Sequence, residues 1–138
     1  MFPAISDVKA RDLMRQEMIA LRENQTVADA VVQMDKLNRG SVVVLDKSGG
    51  LAGIFTERDL VRRVVAKGKD PKKTPLAEVI TTKVVQAQDK DEAIKLLELM
   101  CEHHFRHIPI FQDKKLVGMV SLKQFFKFFL EKQKSYAA

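Results

Sequence analysis

Cysteine is almost absent from this sequence: Cys101 is the one cysteine in 138 residues. A single cysteine cannot close a disulfide within the chain, so no disulfide framework is expected. Cys101 follows Leu96, Leu97, Leu99 and Met100 in an apolar stretch with helical character. This setting predicts a buried thiol that packs as a small hydrophobic residue rather than a catalytic nucleophile.

Long apolar runs and enzyme signatures are also missing. No segment approaches the roughly 18 apolar residues of a membrane helix, and residues 1–7 lack the basic region and apolar stretch of a signal peptide. The sequence contains no Walker loop, no Ser-His-Asp arrangement and no paired carboxylates in a matching context. We therefore expect a cytoplasmic protein that has no membrane contact and is not an enzyme.

Acidic residues are outnumbered by basic ones. The chain has 24 Lys and Arg against 18 Asp and Glu, which gives a net charge of +6 and a pI near 9.5. Such an excess points to anionic partners without naming them. A nucleic-acid-binding module is one alternative, but basic charge is spread over both halves and no recognition helix or aromatic-basic strand signature occurs. Nucleic acid is therefore the less favoured partner.

An internal repeat is the strongest feature that the sequence does have. The segment LAGIFTERDL at residues 51–60 returns as LVGMVSLKQF at residues 116–125, and Gly53 and Gly118 are 65 residues apart. Self-similarity at a fixed period indicates a duplicated module. Two modules of about 60 residues would each be marginal alone, so we expect them to pack together.

The periodicity of apolar residues gives the same order of elements in each half. In the first half it predicts a strand over 18–21, a helix over 26–34, strands over 41–45 and 51–55, and a helix that ends before Gly68. In the second half it predicts a strand over 84–86, a helix over 91–102, strands over 108–111 and 116–120, and a helix over 122–132. Short helical leads over 8–14 and 75–80 precede the first strands. Each half therefore has the order β-α-β-β-α.

A polar, basic connector separates the halves. It includes Lys67, Lys69, Lys72 and Lys73, and it is punctuated by Pro71 and Pro75. We place the first repeat at residues 8–67, the linker at 68–74 and the second repeat at 75–133, within one module that spans residues 1–138.

Four segments together resemble a tandem pair of CBS (cystathionine-β-synthase) domains, often called a Bateman module. They are Gly53-Ile54-x-Thr56-x-x-Asp59 after a strand, the segment RHIPI at 106–110, the lead Ile80-Thr81 and the duplication itself. The resemblance covers residues 8–130. It implies an α+β fold in which two β-α-β-β-α repeats pack as a pseudo-two-fold pair through their sheets.

The resemblance also implies a function. CBS pairs are regulatory sensors that bind adenosine-containing ligands in clefts between the repeats. An adenine nucleotide (AMP, ADP or ATP) is the expected ligand, with S-adenosylmethionine or NADH as further candidates. The expected partners are a second copy of the chain and a regulated protein that the sequence does not identify. The alternative is a purely structural dimerisation module without a small-molecule ligand.

Carried over by position, the resemblance places one ligand cleft at the first signature. Its predicted residues, from the signature and from the facing strands of the second repeat, are Thr56, Arg58, Asp59, Ile80, Thr81, Thr82, Lys83, Val84, Arg106, His107, Ile108 and Pro109. The opposite cleft would contain Ser121 and Gln124 with Ile19, Ala20, Gly40, Ser41, Val42 and Val43. This second cleft lacks the aspartate, the Arg-His pair and the proline, so we expect it to be weak, vacant or differently selective.

Physical chemistry supports Asp59 in two different roles. An ionised carboxylate accepts hydrogen bonds only, and it can take one from each hydroxyl of a ribose diol. Thr56 lies where a strand ends and a helix begins, so its hydroxyl and nearby N–H groups can meet a phosphate, with Arg58 and Arg62 adding charge. Helix capping is the other interpretation, because Thr56 and Asp59 have the spacing of a capping box, as do Ser121 and Gln124.

Two further features carry expectations. His103, His104 and His107 lie within five positions, but no residue completes a standard zinc spacing, so we expect no metal. The last helix is apolar around more than half its circumference, and Phe126 with Leu130 is a candidate dimer contact. Deeper burial of these two side chains within one chain is the alternative.

Overall fold

The computed structural model describes residues 7–137, with side chains described to residue 134. The elements in chain order are α1 (Ala10–Leu13), β1 (Ala20–Arg22), α2 (Val27–Leu37), β2 (Ser41–Leu45), β3 (Leu51–Thr56), α3 (Glu57–Asp59), a π-helical segment (Leu60–Val65), a 3-10 turn (Leu76–Glu78), β4 (Ala87–Gln88), α4 (Ala93–His103), β5 (His107–Gln112), β6 (Lys115–Ser121) and α5 (Leu122–Ala137). The fold is α+β, as predicted, with two three-stranded sheets.

The chain forms two compact units. The central unit contains residues 18–84, and the terminal unit contains residues 7–17 together with residues 85–137. Each unit has its own sheet, ordered β1-β2-β3 in the central unit and β4-β5-β6 in the terminal unit. In both sheets the first pair of strands is parallel and the second pair is an antiparallel hairpin.

Local sequence explains how the central unit is built. Thr26 caps α2 by accepting a hydrogen bond from the Asp29 N–H at 3.2 Å, while the Asp29 carboxylate accepts from the Thr26 N–H at 3.0 Å. The turn between β2 and β3 is held by Asp46, whose carboxylate accepts from the Ser48 and Gly50 N–H groups. The apolar run of β2 places Val42, Val43 and Val44 in the interior.

Each unit takes its lead segment from the opposite half of the sequence. In the terminal unit Val8, Ala10 and Leu13 join the core formed by α4, β5 and β6. In the central unit the lead residues Leu76, Val79 and Ile80 are buried in the core with β2 and β3. Each sequence repeat therefore places its lead in the core of the other unit.

Two glycines let these leads approach the sheets closely. A Cβ atom at Gly53 would lie 2.3 Å from the Thr81 carbonyl oxygen, and one at Gly118 would lie 3.0 Å from the Arg15 carbonyl oxygen. Thr81 pairs with Ile54 in an isolated antiparallel bridge, and Arg15 pairs with Met119 in the same way. Packing against the backbone therefore requires glycine at position 53 and favours it at position 118.

Two sequence-based predictions were wrong. Residues 84–86 are not a strand, because the residues that pair in parallel with Ile110 and Phe111 of β5 are Ala87 and Gln88. Cys101 is exposed rather than buried. One residue advances a helix by about 100°, which carries Cys101 away from the stripe that buries Leu96 and Met100.

The structure bears on the expectation about membrane helices but not on the expectation about a signal peptide. Within residues 7–137, no helix combines the length and the apolar character needed to cross a bilayer. The predicted lack of a signal peptide concerns residues 1–7, and all but the last of these lie outside the described residues.

Candidate functional site

Asp59 is the centre of a hydrogen-bonded group in the central unit. Its residue exposure is only 6%, unusually low for an acidic side chain. Thr56 is the N-cap of α3, and the Asp59 N–H donates to its hydroxyl oxygen at 3.3 Å. In return, Asp59 Oδ2 accepts from the Thr56 N–H at 3.0 Å and from the Thr56 hydroxyl at 3.2 Å. The capping interpretation of this motif describes these bonds.

Thr81 approaches the other oxygen of the same carboxylate. Its hydroxyl donates to Asp59 Oδ1 at 3.1 Å, although the two residues are 22 positions apart. The Thr81 backbone is fixed by a pair of hydrogen bonds with Ile54, at 2.9 Å and 3.0 Å. The close approach at Gly53 is what allows this bridge, so the glycine and the aspartate of one motif act together to position Thr81.

Arg63 is a site residue that the sequence reasoning missed. Its Nε lies 3.3 Å from Asp59 Oδ1, and its Nη1 donates to the Ile80 carbonyl oxygen at 2.9 Å. The sequence predicted Arg58 and Arg62 as the added charges. The spacing of Asp59 and Arg63, four residues along a helix, is a signal that could have identified this pair.

Three hydrogen bonds and one ion pair are described at the two oxygens of the Asp59 carboxylate. Thr56 donates two of the hydrogen bonds to Oδ2, Thr81 donates the third to Oδ1, and Arg63 forms the ion pair with Oδ1. A carboxylate offers about four acceptor positions, so a ligand hydroxyl that binds Asp59 has to replace one of these partners.

The remaining predicted residues of this site are divided between the two units. Ile80 is buried and Val84 is half-buried in the central unit, where Arg58, Thr82 and Lys83 are exposed. The predicted opposite wall belongs to the terminal unit, as part of β5 and the residue before it: Arg106, His107, Ile108 and Pro109. Among the predicted residues, the described contacts join Thr56, Asp59 and Thr81, with Ile80 linked to them through Arg63.

His107 begins β5, opposite Ser121 of β6. Burial, and to a lesser extent the nearby Arg106 guanidinium, lowers the pKa of His107 from 6.5 to about 4. The imidazole is therefore neutral at pH 7. It offers a hydrogen bond rather than a positive charge to any phosphate that approaches the free protein.

This lowered pKa predicts that the protein loses stability in mild acid. Between pH 6.5 and about 4 the unfolded chain binds a proton at His107 that the folded chain does not bind, so the free energy of unfolding falls as the pH falls. The full effect is at most about 3 kcal/mol. Urea unfolding at pH 7.5 and pH 4.5 should show a smaller difference in His107→Asn than in the unmodified protein. A His103→Asn control should keep the larger difference, and an unchanged difference in His107→Asn would contradict the account.

The second copy of the motif has a simpler arrangement. Gln124 Oε1 accepts a hydrogen bond from the Ser121 N–H at 2.6 Å, which is the reach-back half of a capping box. Gln124 brings no negative charge to the position that Asp59 occupies in the first copy. The residues predicted to complete this cleft belong to the central unit, where Ile19 and Val42 are buried, Ala20 is exposed, and Gly40 and Ser41 are half-buried.

The histidines near the end of α4 are engaged in ordinary contacts. The His103 ring stacks on Phe105 with centroids 5.8 Å apart, and its Nε2 lies 3.9 Å from a Glu102 carboxylate oxygen. In the part of the chain that the structure describes, no three His, Cys, Asp or Glu side chains are grouped so that they could hold a metal ion.

The chain duplicates a β-α-β-β-α unit, and in the first copy Asp59 takes part in the cap of the helix that follows the third strand. These features define the protein as a small α+β module built from two repeats. The CBS domain model matches this chain twice, at residues 10–66 and 76–131. The chain belongs to the CBS-domain family. CBS domains are commonly regulatory modules and generally bind adenosine ligands.

Individual relatives agree with this assignment. The mitochondrial CBS domain-containing protein CBSX3 of Arabidopsis thaliana is 35% identical over 103 residues, which are 72% of this chain and 50% of that protein. The chain therefore spans half the length of this relative.

Solved structures share the fold. A CBS-domain-containing protein from Agrobacterium tumefaciens superimposes with a TM-score of 0.81 at 28% identity, covering 92% of this chain and 96% of that one. Hypoxic Response Protein I, solved with two coordinated zinc ions, gives a TM-score of 0.75 at 25% identity over 87% of this chain and 98% of that one.

Proposed function

We propose that this protein is a regulatory sensor that binds an adenosine-containing ligand at Asp59 and changes its interaction with a partner protein. The observation that carries this proposal is that the two oxygens of the Asp59 carboxylate have different partners. Oδ2 holds the N-terminus of α3 through the Thr56 N–H. Oδ1 is engaged by two side chains, Thr81 and Arg63.

The Asp59 site fits a ribose diol. Both partners of Oδ1 are side chains that can rotate away, whereas Oδ2 is bound to a main-chain N–H at 3.0 Å. Ligand binding can therefore exchange the donors at Oδ1 while the helix cap stays in place. Capping and ligand binding are compatible, because they use different oxygens of one carboxylate.

The rest of the ligand is assigned to neighbouring residues as part of the proposal. Ile80 and Val84 offer apolar contact to the adenine ring, and Thr81 or Thr82 reads its edge. Arg58 and Lys83 supply positive charge for the phosphate, and we propose Arg106, His107, Ile108 and Pro109 of the terminal unit as further ligand contacts. The Gln124 position has no carboxylate, so we propose one competent site per chain.

AMP, ADP or ATP is the ligand class that we favour, with S-adenosylmethionine or NADH as further candidates and no metal. The protein acts in the cytoplasm and is not an enzyme. Binding changes the interface that the chain offers to a regulated protein, since a ligand shifts a conformational equilibrium through its differential affinity for the two states.

Thermal unfolding with a panel of ligands tests this function. A compound that binds the native state raises the melting temperature by mass action, by an amount that grows with its concentration over its Kd. We expect AMP, ADP or ATP at millimolar concentration to raise the melting temperature by several degrees. If none of these nucleotides, S-adenosylmethionine or NADH raises it, the sensor function is wrong.

A homodimer is also part of the proposal. Phe126 and Leu130 on α5 are 65% and 61% exposed, and Val61 and Val65 are 60% and 66% exposed. These two pairs lie 65 residues apart, so the duplication presents the same i, i+4 apolar pair twice. A second copy of the chain with the same surfaces is the natural partner for them, through a self-complementary interface.

Replacing Phe126 with glutamate should weaken this dimer. A buried aromatic side chain at the centre of an interface contributes more than about 1 kcal/mol, so we expect the dissociation constant to rise at least about fivefold. Sedimentation equilibrium measures this against a dimer of two 15.7 kDa chains. Val32→Glu is the matched control, because Val32 is 63% exposed but lies on α2, outside the two pairs. A monomeric unmodified protein, or an equal effect of Val32→Glu, would argue against this interface.

A further inference from the structure

Arg63 contacts two groups at once in the central unit. One guanidinium nitrogen lies 3.3 Å from Asp59 Oδ1, and another donates to the Ile80 carbonyl oxygen at 2.9 Å. The two groups are 21 positions apart in the sequence, so the bridge connects the last residue of α3 to the lead of the second repeat. In the proposed function, the Asp59 carboxylate binds the ligand and Ile80 lies beside it.

Of the three residues described in contact with the Asp59 carboxylate, Arg63 is the one that a solute can displace most easily. Its side chain is 49% exposed, whereas the Asp59 side chain is 8% exposed. Thr56 and Thr81 are half-buried, and Thr81 is held by its main-chain bridge to Ile54. Release of Arg63 moves one exposed side chain and leaves the backbone contacts of the site in place.

We propose that Arg63 is a specificity-determining residue that makes binding at Asp59 depend on an anionic group in the ligand. This inference rests on the proposed function. In the free protein the guanidinium pairs with Asp59 Oδ1. When the hydroxyls of a ribose take that oxygen, the displaced guanidinium pairs with the phosphate of the same ligand.

The charges of the ligand classes decide the selectivity. A neutral nucleoside removes the carboxylate partner of Arg63 and returns nothing for it, so its binding is opposed by the lost ion pair. A phosphate replaces the carboxylate in the planar, two-pronged geometry that guanidinium groups favour. S-adenosylmethionine carries a positively charged sulfonium group. Arg63 and its neighbours Arg58 and Arg62 are also positively charged, so they repel this group. The site should therefore select nucleotides over nucleosides and over sulfonium compounds.

Calorimetric titration of the full chain with AMP and with adenosine tests this selectivity. We expect the unmodified protein to bind AMP at least about tenfold more tightly than adenosine, the scale of one charge-assisted hydrogen bond. In Arg63→Gln the ratio should fall to within about threefold, because AMP loses its guanidinium partner and adenosine no longer competes with it. Arg22→Gln is the matched control, since Arg22 is an exposed arginine of the same unit that lies on β1, outside the proposed site, and it should keep the original ratio.

The outcomes separate this inference from the function on which it rests. If the unmodified protein binds AMP and Arg63→Gln retains the full preference for AMP over adenosine, the role of Arg63 is overturned and the sensor function stands. An Arg22→Gln variant that loses the preference as strongly as Arg63→Gln also overturns it. If neither adenosine nor any of AMP, ADP, ATP, S-adenosylmethionine and NADH binds the unmodified protein, the proposed function fails and this inference fails with it.

Nuclear magnetic resonance of the Arg63 Nε–H gives a second measurement that does not depend on affinity. The signal should be protected from exchange in the free protein and should lose that protection in Asp59→Asn. It should shift on addition of AMP. A signal that AMP leaves unchanged at saturation would contradict the displacement of Arg63.

Discussion

Gly53→Ala should lower the free energy of unfolding by about 3 kcal/mol, the upper end of the range for overpacked cores. The added Cβ would lie 2.3 Å from the Thr81 carbonyl oxygen and 3.0 Å from the Ile80 side chain. The Thr81 carbonyl accepts a hydrogen bond from the Ile54 N–H at 3.0 Å, so it cannot retreat without breaking the bridge. Urea unfolding followed by circular dichroism measures the loss.

Gly118→Ala is the matched control for this prediction. It is the equivalent glycine of the second repeat, but the closest atom to its added Cβ is the flexible Met14 sulfur at 2.8 Å. The Arg15 carbonyl oxygen follows at 3.0 Å, a contact that a shift of a few tenths of an ångström relieves. We expect a cost of about 1 kcal/mol. A larger cost for Gly118→Ala than for Gly53→Ala would contradict the packing described for the two leads.

Asp59→Ala should weaken the binding of an adenosine ligand by on the order of 1 to 3 kcal/mol, through the loss of charge-assisted hydrogen bonds. This corresponds to a dissociation constant about 5- to 150-fold higher. The chain should still fold, but less stably, because the Thr56 N–H, the Thr81 hydroxyl and Arg63 all lose their acceptor. Calorimetry below the melting temperature of the variant separates affinity from stability.

Gln124→Ala tests the asymmetry of the two motifs. Gln124 occupies the position of Asp59 in the second repeat and contacts the Ser121 N–H. Its removal should barely change ligand affinity, because an amide lacks the charge that strengthens hydrogen bonds to a diol. Equal effects of Asp59→Ala and Gln124→Ala would contradict the claim of one competent site per chain.

Spacing along the sequence predicted those features that depend on neighbouring residues. The capping boxes at Thr26 and Thr56 follow from a hydroxyl residue three positions before an acidic one, and both are confirmed. The duplicated order of strands and helices follows from hydrophobic periodicity. Each of these patterns involves residues that are close together in the sequence, where local geometry decides the structure.

Features that depend on distant residues were not accessible in the same way. The position of β4 is set by pairing with Ile110 and Phe111, so the apolar residues before it misled the prediction. The contact of Arg63 with the Ile80 carbonyl joins residues 17 positions apart. The exchange of lead segments between units leaves no periodic signal. The prediction that Cys101 is buried was wrong for a local reason, since one position around a helix separates a buried face from an exposed one.

A crystal structure of the protein soaked with AMP is the most direct measurement of the central claim. We predict both ribose hydroxyls within hydrogen-bonding distance of the Asp59 carboxylate, with Arg63 moved from Oδ1 to the phosphate and the Thr56 cap unchanged. A structure with AMP bound elsewhere, and with Asp59 still paired to Thr81 and Arg63 as in the free protein, would contradict the account.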